Sequence, residues 1–380
     1  MKITVASIGN PKDKRTWSGT TYQMYNVLKN SKVEVDTIDV SEAISAKVWH
    51  KLFNISKRLH LTQAENFETS VFGAKIYGKL FDKAVAKQRK KSDYYLTPAG
   101  AGIIAFAKSN VKFIDAPDAT YALMNNYYYR EIKNKAEELG NKIDRLALEK
   151  SSLILVPSDW AKKSVICDYR QSERKVKVVE FGANMPYEDI KPKQLISSKV
   201  NVLLVGVEYK RKGVATAIEV VKKLNHIDKQ HTYIITIVGL DAPEETKELS
   251  SNIIFKGKLN KNNPQELELL QREYRNADLF LLPTKAEAAG IVFSEAAMYG
   301  LPIFTYNTGG VGNYCINSEN GYALPLKSDS EDFAKLIKIV VNNPTLYKSL
   351  SKNGISLYNK KFNWTSWKEN VIKNIKEVID

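Results

Sequence analysis

The chain has 380 residues, 43% of them hydrophobic, and a formal net charge of +15. This length suffices for two domains of ordinary size, each with its own core. The charge predicts an anionic partner, for which nucleic acid, a nucleotide and anionic lipid all qualify. No apolar run approaches the ~20 residues of a membrane-spanning helix, and no signal peptide is expected. The two cysteines form no metal or redox motif, which is typical of a reducing cytoplasm.

Strands and helices alternate through the first half of the chain. Residues 2–8 are rich in β-branched residues at alternating positions and predict a strand. Gly19 follows in a loop that opens a helix ending near Leu28. Further strands are predicted at 33–40, 94–96, 111–115, 152–156 and 176–179. Because the loop at Gly19 lacks the G-x-G-x-x-G dinucleotide pattern, by itself it favours a structural turn.

The segment 47–91 carries over half of the net charge, with eleven Lys or Arg residues against three acids. Within it, a stripe of lysines at every fourth position adjoins an apolar stripe: Lys75, Lys79, Lys83 and Lys87 beside Ile76, Leu80 and Ala84, with Tyr77, Phe81 and Val85. A basic amphipathic helix can lie on an anionic membrane, but an ordinary surface helix also has a solvated lysine face. An upstream group favours membrane contact: Trp49, Leu52 and Phe53 with Lys51, Lys57 and Arg58.

An acidic loop follows the strand predicted at 111–115. Ligands of open α/β sheets bind at the carboxyl ends of strands, so Asp118 is a candidate ligand contact. The alternative is that Asp118 caps the N-terminus of a helix. Just beyond, the aromatic and basic run at 127–130 leaves RNA binding open as a second kind of function.

A polar linker is predicted at 185–199, and the alternation then restarts. The strand at 200–205 leads into Gly206 and then into Arg211 and Lys212 before a helix. Arg can bind two phosphate oxygens in a fork and Lys acts as a point charge, so this pair suits a diphosphate. Taken alone, the same pair is typical of surface charge. The following strand, at 233–238, ends at Gly239.

A second loop with a helix N-terminus lies between the strands predicted at 279–282 and 303–306. Its helix, at 291–299, follows Gly290, and free N–H groups at such a terminus favour an anion. A phosphate repels a nearby carboxylate, so a carboxylate at this position needs a separate explanation. One explanation is that Glu295 accepts hydrogen bonds from two vicinal ribose hydroxyls. The alternatives are that Glu295 complements the helix dipole and that Glu287, in the loop, is a solvated charge.

These residues carry a resemblance to a known family. The spacing Glu287-x7-Glu295, with Gly290-Ile291-Val292 between and E-A-A-M-x-G-L-P from Glu295 onwards, resembles the signature of the retaining GT-B glycosyltransferases of family 4. The resemblance implies an α/β fold of two Rossmann-like domains facing across a central cleft. It implies an acceptor domain at 1–188, joined by a C-terminal helix at 363–380, and a nucleotide-sugar donor domain at 196–362.

The resemblance also implies roles for individual residues. Catalytic roles around the diphosphate and the transferred sugar fall to Arg211, Lys212, Glu287 and Asp118. Donor-binding roles fall to Gly19, Gly206, Gly239, Gly290, Ile291, Val292 and Glu295. The chain departs from the family in two places, since many members carry a His near Asp118 and an Arg where Val207 stands here. No D-x-D metal motif is present, so we expect neither a metal nor another cofactor.

The sequence therefore predicts a metal-independent, retaining glycosyltransferase. Its donor would be a nucleotide-diphosphate sugar and its acceptor a glycan or a lipid-linked glycan, with no nucleic-acid partner. We expect it in the cytoplasm, peripheral on the inner face of the membrane through the basic region at 47–91. Two alternatives remain: another GT-B enzyme such as an epimerase or a phosphorylase, and a non-catalytic basic protein of this fold that binds nucleic acid or anionic membrane.

Overall fold

The computed structural model describes all residues except 60, 61, 63, 65, 126, 129–134, 196, 244–250 and 380. The chain divides into two compact units, the first formed by Met1–Val179 with Trp367–Asp380 and the second by Glu180–Ser366. Each unit contains a six-stranded parallel sheet with helices connecting its strands. Parallel strands need such crossover helices. The predicted α/β class is therefore confirmed.

The first unit begins with a strand and closes with the C-terminal helix. Its strands are β1 Lys2–Ser7, β2 Glu34–Asp39, β3 Tyr94–Pro98, β4 Phe113–Ala116, β5 Ser151–Val156 and β6 Val176–Val178. Its helices are α1 Thr20–Lys29, α2 Ile44–Arg58, α3 Val71–Lys87, α4 Ala101–Ile104, α5 Tyr121–Met124, α6 Lys135–Lys150 and α7 Asp159–Cys167. In the strand order β2-β1-β3-β4-β5-β6, strands β1 and β3 are neighbours. Strand β2 lies at one edge of the sheet, and the strands from β3 to β6 extend to the opposite edge.

The second unit repeats the pattern. Its strands are β7 Lys199–Val205, β8 Thr232–Val238, β9 Ile253–Phe255, β10 Leu279–Leu282, β11 Ile303–Tyr306 and β12 Gly321–Leu324. Its helices are α8 Val214–Ile227, α9 Pro264–Asn276, α10 Ile291–Met298, α11 Ser330–Val341 and α12 Pro344–Lys360; α13, Trp364–Val378, runs from this unit into the first. The order β12-β11-β10-β7-β8-β9 puts β7 beside β10, where the order reverses.

The structure contains several elements that the sequence did not predict, among them the short helices α4 and α5. The residues around Gly321, where the sequence predicts no strand, form β12, because their backbone pairs in parallel with β11. Helix α6 was not predicted at all, and neither was α2. Apolar side chains lie on two sides of α2, and charged residues occupy much of α6, so neither helix has the single apolar stripe that marks a core-facing helix.

The lysine stripe of α3 lies on its solvent side, as an ordinary surface helix requires. The adjoining side chains Tyr77, Phe81 and Val85 are buried in the core of the first unit. Ile76 and Leu80 pack against that same core. The apolar side of α3 from Ile76 to Val85 is therefore occupied by the core, and along this length the helix offers a membrane only charge. None of the described helices is both long enough and apolar enough to cross a membrane.

The RNA-binding alternative gains nothing from the described part of the run at 127–130. The ring of Tyr127 lies 5.0 Å from that of Trp160 and 5.6 Å from that of Tyr128, between ring centroids. These aromatic rings are packed on one another, whereas stacking of bases needs an open ring face. Residues 129 and 130 lie outside the described part of the chain.

Candidate active site

The candidate donor site lies in the second unit, where the strand order reverses. The loops that follow the neighbouring strands β7 and β10 meet at the carboxyl edge of the sheet. Ligands of open parallel sheets bind at this reversal point, because the two loops diverge there and leave a crevice. The loop after β7 carries Arg211 and Lys212, and the loop after β10 carries Glu287.

Lys212 is held inside this crevice. It is only 6% exposed, whereas the sequence alone also allowed a solvated surface charge at this position. Its side chain passes directly over Gly206, where a Cβ atom would lie 2.8 Å from Lys212 Cγ. Gly206 is therefore needed as a glycine to leave space for this lysine. Gly239, after β8, supports the same turn, because a Cβ atom there would lie 2.3 Å from the carbonyl oxygen of Gly206.

The two cations share one buried carboxylate. Lys212 Nζ forms an ion pair with Glu287 Oε2, and Arg211 Nη1 lies 3.7 Å from the same oxygen. Arg211 Nη1 also donates to the carbonyl oxygen of Ala286 at 2.9 Å, and Nη2 pairs with Glu208 at 2.7 Å. Glu287 is 8% exposed, so the alternative of a solvated loop charge is wrong. The structure thus brings together three of the four residues predicted to act on the diphosphate and the sugar.

The N-terminus of α10 lies one loop away from these charges. Gly290 caps it in the left-handed conformation, with φ of +73°, which glycine adopts without steric cost. Helix geometry leaves the first N–H groups, at Ile291 and Val292, without partners inside the helix. These groups and the helix dipole suit a phosphate. A β-carbon on Gly290 would lie 2.5 Å from Phe293 Cδ2, so the entry into the helix is closely packed.

Glu295 is fully buried in the second turn of α10. Its Oε1 pairs with Lys261 Nζ, and its Oε2 accepts a hydrogen bond of 2.9 Å from the hydroxyl of Tyr274. Burial, together with Glu295, raises the pKa of Tyr274 well above its ordinary value, so this hydroxyl remains a donor. Both carboxylate oxygens thus have partners, which is more than a dipole-complementing residue needs. A ribose would compete with Lys261, whose side chain is 35% exposed, rather than with the buried tyrosine.

The first unit has a separate candidate site at its own reversal point. A pocket of about 400 Å³ lies at the carboxyl ends of β1 and β3. Its lining includes both aromatic and acidic side chains, among them Trp17, Glu68, Asp118, Tyr121 and Asp144. Gly19 caps α1 beside it in the left-handed conformation, and Trp17 lies two residues earlier in the same loop.

Asp118 faces this pocket and does not cap the helix that follows it. The cap of α5 is Thr120, whose hydroxyl accepts the N–H of Leu123. The helix-cap alternative for Asp118 is therefore wrong. The only titratable side chains among the residues that line the described pocket are Tyr121 and the three acids Glu68, Asp118 and Asp144. A ligand in this pocket meets oxygen acceptors and no cation from the lining.

Comparison with known proteins identifies the second unit. The family model described as "Glycosyl transferases group 1" matches residues 186–357. This segment is a glycosyl transferases group 1 domain. Lipopolysaccharide glucosyltransferase WaaG of Escherichia coli is 28% identical to the chain over 171 residues, which are 44% of each protein. The capsular polysaccharide biosynthesis glycosyltransferase CapM of Staphylococcus aureus is 22% identical over 231 residues, 58% of this chain and 60% of CapM.

The matches thus span about half the length of these curated relatives. Sucrose-phosphate synthase from Thermosynechococcus elongatus superposes over 99% of this chain and 98% of its own, with a TM-score of 0.70 and 16% identity. At this identity the likeness shows the fold, which is GT-B. The predicted fold and the resemblance to glycosyltransferases are confirmed. Retention of configuration and membership of family 4 stay predictions.

Several site residues of the glycosyltransferase domain and of the first unit were not found from the sequence. Lys261, in the loop before α9, and Tyr274, on α9, belong to no recognised motif, and only the tertiary packing of the unit brings them to Glu295. Glu68 and Asp144 of the pocket likewise lie far from Asp118 along the chain. Among the described residues, no three His, Cys, Asp or Glu side chains are grouped so that they could hold a metal ion.

Two neighbouring aspartates in the first unit make its stability depend on pH. Burial, reinforced by Asp144, raises the pKa of Asp115 to about 7, and burial raises the pKa of Asp144 to about 7. The folded state then binds more protons than the unfolded state between roughly pH 4 and pH 7. This contribution to stability is present below pH 4 and is lost as the pH rises through 7.

We therefore expect the melting temperature of the first unit to fall between pH 5 and pH 8. Asp115→Asn keeps an oxygen that can accept the N–H of Gly100 and removes one of the titrating carboxyls. The variant should melt higher than the original protein at pH 8 and show a flatter pH dependence by differential scanning calorimetry. An unchanged pH profile in Asp115→Asn and in Asp144→Asn would contradict this assignment.

Proposed function

We propose that the protein is a retaining, metal-independent glycosyltransferase that moves a sugar from a nucleotide-diphosphate sugar to a glycan or a lipid-linked glycan. One observation carries the proposal. Within a glycosyl transferases group 1 domain, half-buried Arg211 and buried Lys212 lie near a helix N-terminus, and a buried carboxylate, Glu295, lies one turn into that helix. The cationic pair and the free N–H groups suit the diphosphate of a nucleotide. The carboxylate of Glu295 suits the two hydroxyls of its ribose.

In the proposed complex the diphosphate displaces Glu287 from the two cations. Arg211 binds two phosphate oxygens in a fork, Lys212 adds a second charge, and the N–H groups of Ile291 and Val292 complete the phosphate site. Glu295 accepts the two ribose hydroxyls in place of Lys261. Glu287, freed from Lys212, then faces the sugar. Each charge that develops on the leaving phosphate meets a donor that is already in place.

The proposed reaction exchanges one bond at the anomeric carbon. The bond from this carbon to the β-phosphate oxygen breaks, and a bond to the acceptor oxygen forms on the same face of the sugar. As the resemblance implies, the leaving phosphate takes the proton of the acceptor hydroxyl. The products are a glycoside with retained configuration and a nucleoside diphosphate. No general base from the protein is required.

The pocket of the first unit is the proposed acceptor site. Its volume of about 400 Å³ suits one or two sugar rings, and its acidic lining can accept hydrogen bonds from their hydroxyls. The half-buried ring of Trp17 offers an apolar face for the sugar. Asp118 is proposed to contact the transferred sugar or the acceptor hydroxyl. WaaG and CapM, by their names, act on lipopolysaccharide and capsular polysaccharide, which supports a glycan acceptor for this chain.

The proposal includes a location in the cytoplasm at the inner face of a membrane. Its support is the basic charge of the chain and the two free cysteines, Cys167 and Cys315. Because neither the overall charge nor the cysteines take part in the proposed reaction, the proposed location does not depend on the proposed activity.

The deciding experiment is a thermal-shift panel with UDP, GDP, ADP, CDP and dTDP, each with and without EDTA. A ligand present at about 100 times its dissociation constant stabilises the folded state by roughly 2.7 kcal/mol. We expect one diphosphate to raise the melting temperature, with EDTA making no difference. Glu295→Gln and Arg211→Ala should abolish the shift, whereas Lys210→Ala, which removes the exposed neighbour of Arg211, should keep it.

A positive panel leads to the matching sugar donors, with release of nucleoside diphosphate as the assay and NMR of the new linkage as the test of retention. If none of the five diphosphates shifts the melting temperature, the crevice is not a nucleotide site. The non-catalytic basic protein then becomes the better description. A shift that requires a divalent cation would overturn metal independence alone.

A further inference from the structure

Helix α2 carries a second apolar stripe that the core does not use. Its inner side packs on the first unit through Ala46 and Phe53, which are buried. A different set recurs every three or four residues and remains 44–81% exposed: Ile44, Val48, Leu52 and Ile55 on the helix, and Leu59 directly after its last residue. At about 100° per residue, this set lies roughly opposite Ala46 and Phe53. We call it the outer stripe.

Two aromatic side chains extend the outer stripe. Trp49 is 41% exposed and meets Phe72, at the start of α3, edge to face with ring centroids 5.0 Å apart. Phe72 packs in turn on buried Phe67, whose ring also contacts that of Phe53. The aromatic cluster thus fixes α2 to the unit while Trp49 and Phe72 remain at the surface.

The outer stripe, Trp49 and Phe72 together form one exposed apolar patch. Of the fourteen large apolar residues that are strongly exposed in the described part of the chain, seven lie here. Isolated exposed residues need no explanation, but a contiguous group of this kind marks a binding surface. Such a stripe on the outside of a helix has no role in folding the unit.

The charges around the patch select its partner. Helix α2 contains no Asp or Glu, and Lys47, Lys51 and Arg58 are exposed along one edge of the outer stripe. An apolar stripe edged by cations matches the boundary between acyl chains and anionic headgroups. A second copy of the chain fits poorly, because a two-fold contact through this stripe would bring like charges together. RNA also fits poorly, because the five side chains of the outer stripe are aliphatic and give bases nothing on which to stack, and Trp49 and Phe72 are packed edge to face on each other.

We propose that the outer stripe of α2, with Trp49 and Phe72, is a docking surface for an anionic lipid membrane. The helix lies in the plane of the interface, its outer stripe reaches the acyl boundary, and Lys47, Lys51 and Arg58 contact headgroups. The inserting element is α2, whereas the lysines of α3 supply only longer-range attraction. Docking does not depend on the proposed transferase activity, so either can fail without the other.

The test is co-sedimentation of the full chain with vesicles of phosphatidylcholine alone or mixed with phosphatidylglycerol. We expect binding only to the mixed vesicles. Leu52→Gln with Ile55→Gln should lower the partition coefficient about tenfold or more, since both side chains would otherwise be buried in the interface. The matched control is Ile339→Gln on α11, which removes an apolar side chain that is 60% exposed in the other unit.

A second pair of variants tests the charge. Lys47→Gln with Lys51→Gln should weaken binding and reduce its salt dependence. Lys348→Gln with Lys352→Gln removes two exposed lysines at the same spacing on α12 and should have no such effect. All variants should keep the melting temperature of the original chain, because the replaced side chains are exposed.

Three outcomes would overturn the proposal. The first is no association with phosphatidylglycerol vesicles at physiological salt. The second is an equal loss in the α11 and α12 controls, which would make the attraction a property of the whole basic surface. The third is a dimer by light scattering that Leu52→Gln with Ile55→Gln dissociates, which would assign the outer stripe to a second copy of the chain.

Discussion

Replacing Lys212 by Met is expected to lower kcat by about 10²–10³, the usual effect of losing one preorganised donor to a developing negative charge. Met keeps the length of the side chain over Gly206 and removes only the charge. Because the charge on the leaving phosphate is larger in the transition state than in the bound donor, the loss should appear in kcat more than in KM. The measurement is release of nucleoside diphosphate at saturating donor.

Lys210→Met is the matched control for this prediction. Lys210 lies two residues before Lys212 in the same loop but is exposed, so its charge acts through solvent. Its replacement should change kcat by less than a factor of about two. Lys212→Met removes the ion pair with Glu287, although Arg211 still lies near that carboxylate. Melting curves therefore show whether a lower kcat reflects lost catalysis or lost stability. Equal kcat values for Lys212→Met and the original protein would remove Lys212 from the proposed diphosphate site.

The strands and the two glycine-bordered loops of the second unit were predictable because their signals are local. The apolar runs at 200–205 and 279–282 predict two strands, and parallel topology then places the loops that follow them at one edge of the sheet. This reasoning brings Arg211 and Lys212 close to Glu287 without any knowledge of side-chain contacts. It gives the neighbourhood of the charges but not their pairing.

The pairing of Glu295 could not be predicted, since its partners are set by tertiary packing. Lys261 lies in a loop with no motif, 34 residues before Glu295. The same limit applies to the pocket acids, where Asp144 lies on a helix that the sequence did not predict. Charge and periodicity also placed the membrane-binding expectation mainly on α3. Burial, which only the fold gives, shows that Tyr77 and Phe81 of α3 belong to the core and that the free apolar side is on α2.

Replacing Gly290 by Ala is expected to damage both folding and donor binding. A β-carbon there would lie 2.5 Å from the ring of Phe293 and 3.2 Å from Glu287 Cγ, and the backbone stands at φ of +73°. The left-handed conformation costs an Ala roughly 1–2 kcal/mol, and overpacking typically adds about 1–3 kcal/mol. Relief of the clash requires the start of α10 to move, which takes the N–H groups of Ile291 and Val292 away from the phosphate.

Gly312→Ala is the control that separates this steric effect from a general intolerance of side chains. Gly312 lies in the loop after β11, where the nearest heavy atom to an added β-carbon is 3.8 Å away, and its φ is not left-handed. We expect Gly290→Ala to lower the urea midpoint of the second unit and to weaken binding of the preferred nucleoside diphosphate at least tenfold. Gly312→Ala should change neither. Because an α10 that retains its position keeps its N–H groups in place, normal diphosphate affinity in Gly290→Ala would mean that the phosphates bind elsewhere in the crevice.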